Sequence, residues 1–209
     1  MFELGQIVAY VAVVALLFLV PGPAVLLTLA RSIGGGARVG VATGAGIAVG
    51  DGIHTLAAVI GLSAVLMTSA LAFDVVKYLG AAYLVYLGIV AIRERGTDIE
   101  LPQVKPLTAH RAFRQAILIE VLNPKTALFF LSFLPQFVDP ARGAVWAQLL
   151  ALGAIFVGMS IAYTSMLAVA AGTIAHWLKR HSAIGRLQSK IIGSIYIGLG
   201  IQLALQERR

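Results

Sequence analysis

Residues 4–30 carry no charged side chain. At 1.5 Å of rise per residue such a run exceeds the roughly 20 residues that a helix needs to cross a bilayer core, and this constrains the chain more than any other feature. It reads as a retained first span, not a signal peptide: Glu3 stands where a basic start is usual, and the run outlasts a signal core. Composition extends the argument to the rest of the chain. Of 209 residues, 59% are apolar and 12% charged, against roughly 45–50% and about 25% in soluble domains. That leaves too little polar surface to cover a globule in water, and it excludes disorder. The 22 glycines suit close helix packing in lipid, and the absence of cysteine removes disulfides, thiolate metal sites and thiol redox chemistry.

Further spans are expected at about 39–67, 75–92, 115–138, 146–174 and 190–206, which makes six helices. The third and sixth are short, so a five-span arrangement stays open. The net charge of +7 is not gathered into a patch or interleaved with aromatics, which argues against nucleic-acid binding. Arg31 and Arg38 follow span one, Arg93, Arg95, Lys105, Arg111 and Arg114 follow span three, and Lys179, Arg180, Arg186 and Lys190 follow span five. By the positive-inside rule these alternate loops are cytoplasmic, and both termini and the loops near Ser69 and Arg142 lie outside. Trp146 and Trp177 suit the two water interfaces of span five. Residues 93–114 form the one long polar stretch and read as a cytoplasmic connector between a first half, 1–92, and a second half, 115–209. Three spans per half gives the halves opposite orientation. The expected fold is therefore an all-α, polytopic membrane protein of about six helices in two inverted three-helix halves.

Three features interrupt the apolar pattern. Pro21-Gly22-Pro23 removes backbone donors and breaks a helix at membrane depth, which lipid tolerates where the break faces protein or a wet cavity. Asn123-Pro124-Lys125 supplies a favoured N-cap followed by a favoured first residue, so it can end one half-helix and start another. The half-helices after the two breaks run in opposite directions, and their electropositive N-terminal ends are expected to face one middle zone, as in transporters that hold carboxylates. The third feature is charge. Asp51 lies 13 residues beyond Arg38 and Lys125 lies 11 beyond Arg114, or roughly 20 and 16 Å deep. Each costs about 2.5–3.5 kcal/mol on a lone helix, so both should face the interior and share a partner or water. A purely structural ion pair between them is the alternative.

His54 shares a helix face with Asp51 and is a candidate for relaying a proton, or else a packed histidine. Glu120, six residues from Arg114, reads as interfacial and paired with a basic loop residue. Lys77 is expected to snorkel at the outer end of span three. Gly40 and Gly44, Gly46 and Gly50, and Ser194 and Gly198 have the four-residue spacing of packing positions. The phenol of Tyr163, in the middle of span five, needs a partner.

Taken in order, several of these pieces carry a resemblance. Pro21-Gly22-Pro23, the Gly40, Gly44 and Gly50-Asp51 series, Leu79 to Leu84 with Tyr86-Leu87-Gly88, and Asn123-Pro124-Lys125 followed by Phe129-Phe130 and Phe133 to Phe137 span most of the chain. With that content the chain resembles the lysine exporter and homoserine/threonine resistance (LysE/RhtB) family of bacterial amino-acid efflux proteins. The resemblance implies a small multi-pass protein of the bacterial inner membrane, driven by protons, that exports an amino acid or a derivative. Homo-oligomers are compatible with it.

The combined expectation is a transporter, not an enzyme, needing no cofactor and no metal. A zwitterionic substrate would bind at the two breaks, Pro21-Gly22-Pro23-Ala24 and Asn123-Pro124-Lys125-Thr126, with its carboxylate on the N–H groups near Gly22 to Ala24 and Lys125 to Thr126 and on the Lys125 ammonium, while Asp51 takes the amino group or a coupling proton, with His54 beside it. The alternatives are a membrane enzyme using Asp51 and His54, for which no nucleophile motif, metal cluster or phosphate cradle is present in the sequence, and a channel or passive scaffold.

Overall fold

The computed structural model describes residues 2–68, 70–93 and 105–180, and scattered positions between 190 and 205. It holds seven α-helices among these residues: α1 (Leu4–Leu19), α2 (Pro23–Gly35), α3 (Ala37–Thr68), α4 (Ala70–Arg93), α5 (Ala109–Val121), α6 (Pro124–Ser132) and α7 (Val145–Arg180). Two short 3-10 turns, Leu134–Phe137 and Pro140–Arg142, join α6 to α7. The described positions from 190 to 205 are helical, and no strand occurs among the described residues. The connector from 94 to 104, the loop at Ser69 and the segment 181–189 lie outside the described residues.

Three of the helices start where local chemistry favours it. Pro23 opens α2 from Gly22, Thr108 caps α5 by accepting the Arg111 N–H, and Asn123 caps α6. Gly36, at φ 79°, makes the tight turn from α2 to α3. The buried Gln148 amide orders the loop before α7, donating to the carbonyls of Asp139 and Gly143 and accepting the Asp139 N–H.

Both proline sites are true breaks. The axes of α1 and α2 differ by 57° and those of α5 and α6, with its following turn, by 49°, and each bent pair is long and apolar enough to be one broken span. Ala37–Ser63 of α3 and Val145–Ala171 of α7 are long and apolar enough to cross as continuous helices. Length and apolarity thus account for up to four crossings among the described residues, two fewer than the six expected from sequence. The third expected span coincides with α4 and the sixth with the helical positions from 190 to 205.

The molecule is built around α3, which packs most extensively against α7 and α5 and next against α2. Small residues make this possible. A side chain at Gly40 would collide with Ser32 of α2 and Ala168 of α7, one at Gly44 with Thr164 of α7, and one at Gly46 or Gly50 with Ala116 or Glu120 of α5. The first expected glycine pair therefore serves α2 and α7, and the second serves α5. Gly198 has no neighbour within 4 Å of its would-be Cβ, so the packing role expected of it is not found among the described residues. The main core is aromatic, with Phe129, Phe130, Phe133 and Phe156 joined by Tyr10, whose hydroxyl donates to the Leu152 carbonyl at 3.0 Å. The outer stripe of α3, by contrast, exposes Val41, Val49, Ile53, Leu56 and Ile60 at helical spacing. An apolar stripe turned outward is the mark of a lipid-facing helix.

Charges gather at the two ends. At one, the buried Arg31 guanidinium donates to the Lys105 carbonyl and, at 2.6 Å, to Gln115 Oε1. At the other, Arg142 pairs with Glu3 at 2.7 Å and with Asp139 at 3.1 Å. The hydrogen bond and charge of Glu3 hold that guanidinium above its already high range. These are the groups that sequence assigned to opposite sides of the membrane.

Candidate functional site

The two breaks touch. A Cβ added at Gly22 would lie 3.2 Å from Lys125 Cδ and 3.4 Å from Lys125 Nζ, so the absence of a side chain at Gly22 is what admits the lysine. Around this junction Leu17, Phe18, Gly22, Ala24, Val25, Ile47, Asp51, Glu120, Asn123, Lys125, Thr126, Ser160, Tyr163 and Thr164 surround about 410 Å³ of unfilled space, part of it open. Of the residues expected from sequence, Gly22, Ala24, Asp51, Asn123, Lys125 and Thr126 line it. Pro21, Pro23 and Pro124 do not, and their part is to make the breaks.

Lys125 is not the ion-pair partner of Asp51. Its ammonium donates to the carbonyls of Leu17 at 2.8 Å and Val20 at 2.7 Å. The reason lies in α1, which stops at Leu19 and leaves its last carbonyls without helical partners in a place where lipid supplies none. Two of the three ammonium hydrogens answer them. The main-chain N–H of Lys125 is also spoken for, because it donates to Asn123 Oδ1 at 3.1 Å. The expected use of that N–H as a substrate donor is therefore corrected: the cap already holds it.

Glu120 departs most from expectation. It is 1% exposed and forms no salt bridge with a basic loop residue among the described residues. Its carboxylate accepts from Asn123 Nδ2 at 3.2 Å to each oxygen and from Thr126 Oγ1 at 2.5 Å. It thus occupies the electropositive start of α6 from within the chain. In the same cavity Asp51 is 2% exposed, with Ser160 and Glu120 as its neighbours, and its Oδ2 has no hydrogen-bond partner. His54 is not brought into the cavity. Its Nε2 lies 3.0 Å from the Glu120 carbonyl, an acceptor only, so that nitrogen carries the proton and donates. Its ring stacks on Phe130 with centroids 5.9 Å apart. The Tyr163 ring stacks on Phe18 at 5.4 Å and lines the cavity, and this contact supplies its hydroxyl with no hydrogen-bond partner.

Sequence reasoning missed Ser160 and Thr164 as lining residues. The available signal was the set Ser160, Tyr163 and Thr164, spaced three and four apart on one face of an otherwise apolar helix. Glu120, Asn123 and Thr126 carry a similar signal, at three-residue intervals across the second break. Among the described residues no group of three or more His, Asp or Glu could hold a metal ion.

Fold and site define an all-helical membrane protein with a polar cavity at the junction of two broken helices. The sequence profile of the family described as LysE type translocator matches residues 15–207. The chain belongs to that family. It is 34% identical over 200 residues to a membrane protein of Pseudomonas aeruginosa, covering 93% of each chain. It is 35% identical over 196 residues to the homoserine/homoserine lactone efflux protein of Salmonella typhimurium, covering 94% of each. To the leucine efflux protein of the same organism it is 28% identical over 187 residues, 89% of this chain and 88% of the relative. No solved structure matches the chain.

Proposed function

We propose that the protein exports an amino acid or amino-acid derivative across the bacterial inner membrane by proton antiport, with six spans in two inverted halves, 1–92 and 115–209. The observation that carries this reading is the single cavity in which the start of α2 and the Lys125 ammonium lie with Asp51 between two helix breaks. The substrate carboxylate docks on the α2 start, where the first-turn N–H groups at Ala24 and Val25 have no helical acceptor, and on the remaining Lys125 hydrogen. The amino group goes to Asp51 Oδ2, which needs a donor. A proton on that oxygen and a substrate ammonium exclude one another, and this exclusion is the basis of exchange. The α6 start, held by Glu120, Asn123 and Thr126, shapes the cavity instead of binding the carboxylate. Family membership and the efflux activities named for two relatives favour carriage over chemistry on the substrate.

The test uses purified protein in vesicles loaded with L-leucine or L-homoserine under an imposed pH gradient. Uphill efflux that collapses with an uncoupler is expected, and Asp51→Asn abolishes the coupling. An absence of amino-acid flux, or Asp51→Asn protein with proton-driven efflux at the original rate, overturns the proposal.

A further inference from the structure

Glu120 is a buried acid to which sequence gave a surface role and which the transport reading leaves as scaffolding. Its surroundings show a more specific arrangement. The α3 backbone comes so close to α5 that a Cβ at Gly50 would lie 2.6 Å from Glu120 Cβ. Gly50 directly precedes Asp51, so the approach that only glycine permits brings the Asp51 and Glu120 carboxyls to the wall of one cavity as electrostatic neighbours. Two buried carboxylates facing one cavity repel each other when both are ionised, and a proton held by the pair relieves that repulsion. The other acceptor sites of Glu120 are filled by Asn123 and Thr126, which fix its orientation. The remaining exit from the pair is the unpartnered Oδ2 of Asp51, itself 2% exposed and on the cavity wall.

We propose that Asp51 and Glu120 act as one proton-carrying unit, sharing a single proton in the empty site and releasing it when the substrate ammonium takes its place. This rests on the transport reading above and assigns its coupling group. The other titratable groups around the pair, among the described residues, are Lys125 on α6, Tyr163 on α7, Tyr10 on α1 and His54 on α3. Lys125 is engaged with Leu17 and Val20, Tyr10 with the Leu152 carbonyl and His54 with the Glu120 carbonyl. Tyr163 stacks on Phe18. Two acids, one ammonium and one shared proton sum to zero formal charge, the state that costs least inside a membrane. On exchange the substrate ammonium replaces the departing proton at the acids, the substrate carboxylate adds one negative charge that the α2 start and the Lys125 ammonium hold, and no bond other than hydrogen bonds changes.

Proton release on binding is the readout, measured by calorimetry of L-leucine, with L-homoserine in parallel, in detergent and in two buffers of different ionisation enthalpy. Wild-type protein is expected to release about one proton per ligand and, in vesicles, to sustain about a tenfold gradient per pH unit. Glu120→Gln, which keeps the acceptor for Asn123 and Thr126 and cannot release a proton, should still bind and exchange the ligand, with no proton release and no sustained gradient. Gly50→Ala keeps both acids but forces them apart, and should show the same loss if Glu120→Gln does not fold. Binding to wild-type protein without proton release, or release and gradient retained in either variant, overturns the pairing. In the second case, transport with Asp51 as lone carrier still stands; absence of any binding or flux in the wild type removes both.

Discussion

Lys125 shows how much one residue can bind together. Its ammonium closes the end of α1, its main-chain N–H is held by Asn123, and its stem fills the space left at Gly22. Lys125→Met keeps most of the stem and abandons two carbonyls in a place without water. The expected loss is about 1–3 kcal/mol of stability, seen as a lower unfolding temperature in detergent, together with weaker ligand binding. Tyr10→Phe is a gentler probe. It removes one donor from Leu152 and should cost about 1 kcal/mol while leaving affinity unchanged. Asp51 and Lys125 were legible in the sequence because a charge inside an apolar run has few places to go. The partners of Lys125 were not, since the carbonyls freed at a helix end carry no sequence signal of their own. The burial of Glu120 was not legible from its distance to Arg114, because α5 begins after Thr108, twelve residues before Glu120 or roughly 18 Å along the axis, and the burial comes from the packing of α5 on α3.

At the scale of elements, both breaks were legible because proline and an N-cap residue act locally, through a missing donor and a fixed φ. The bend angles and the neighbours of each glycine are tertiary facts that no spacing rule contains. They can be tested by volume. Gly46→Leu drives a side chain into Ala116 and the Phe113 main chain, and should cost about 1–3 kcal/mol by overpacking. Gly52→Ala, where nothing lies within 4 Å of the new methyl, is the control on the same helix and should leave the unfolding temperature unchanged or raise it slightly. Equal effects from the two would contradict the close approach of α3 to α5.

For the whole molecule, the native absence of cysteine makes sidedness measurable. Ala141→Cys, beside Arg142, should react with an impermeant maleimide in intact cells, and His110→Cys, at the start of α5, only after the membrane is opened. Both sites are exposed. Reversed labelling would invert the orientation drawn from the positive-inside rule. The distribution of contacts also bears on how the protein is made. Because α3 seats itself mainly against α5 and α7, both of which lie beyond the connector, its two glycine faces stay unmatched while the chain is still being synthesised. The ribosome must finish the later helices before the earlier ones settle, so a message truncated after α4 should yield an orphan fragment for membrane quality-control proteases, and co-expression of the missing remainder should rescue it.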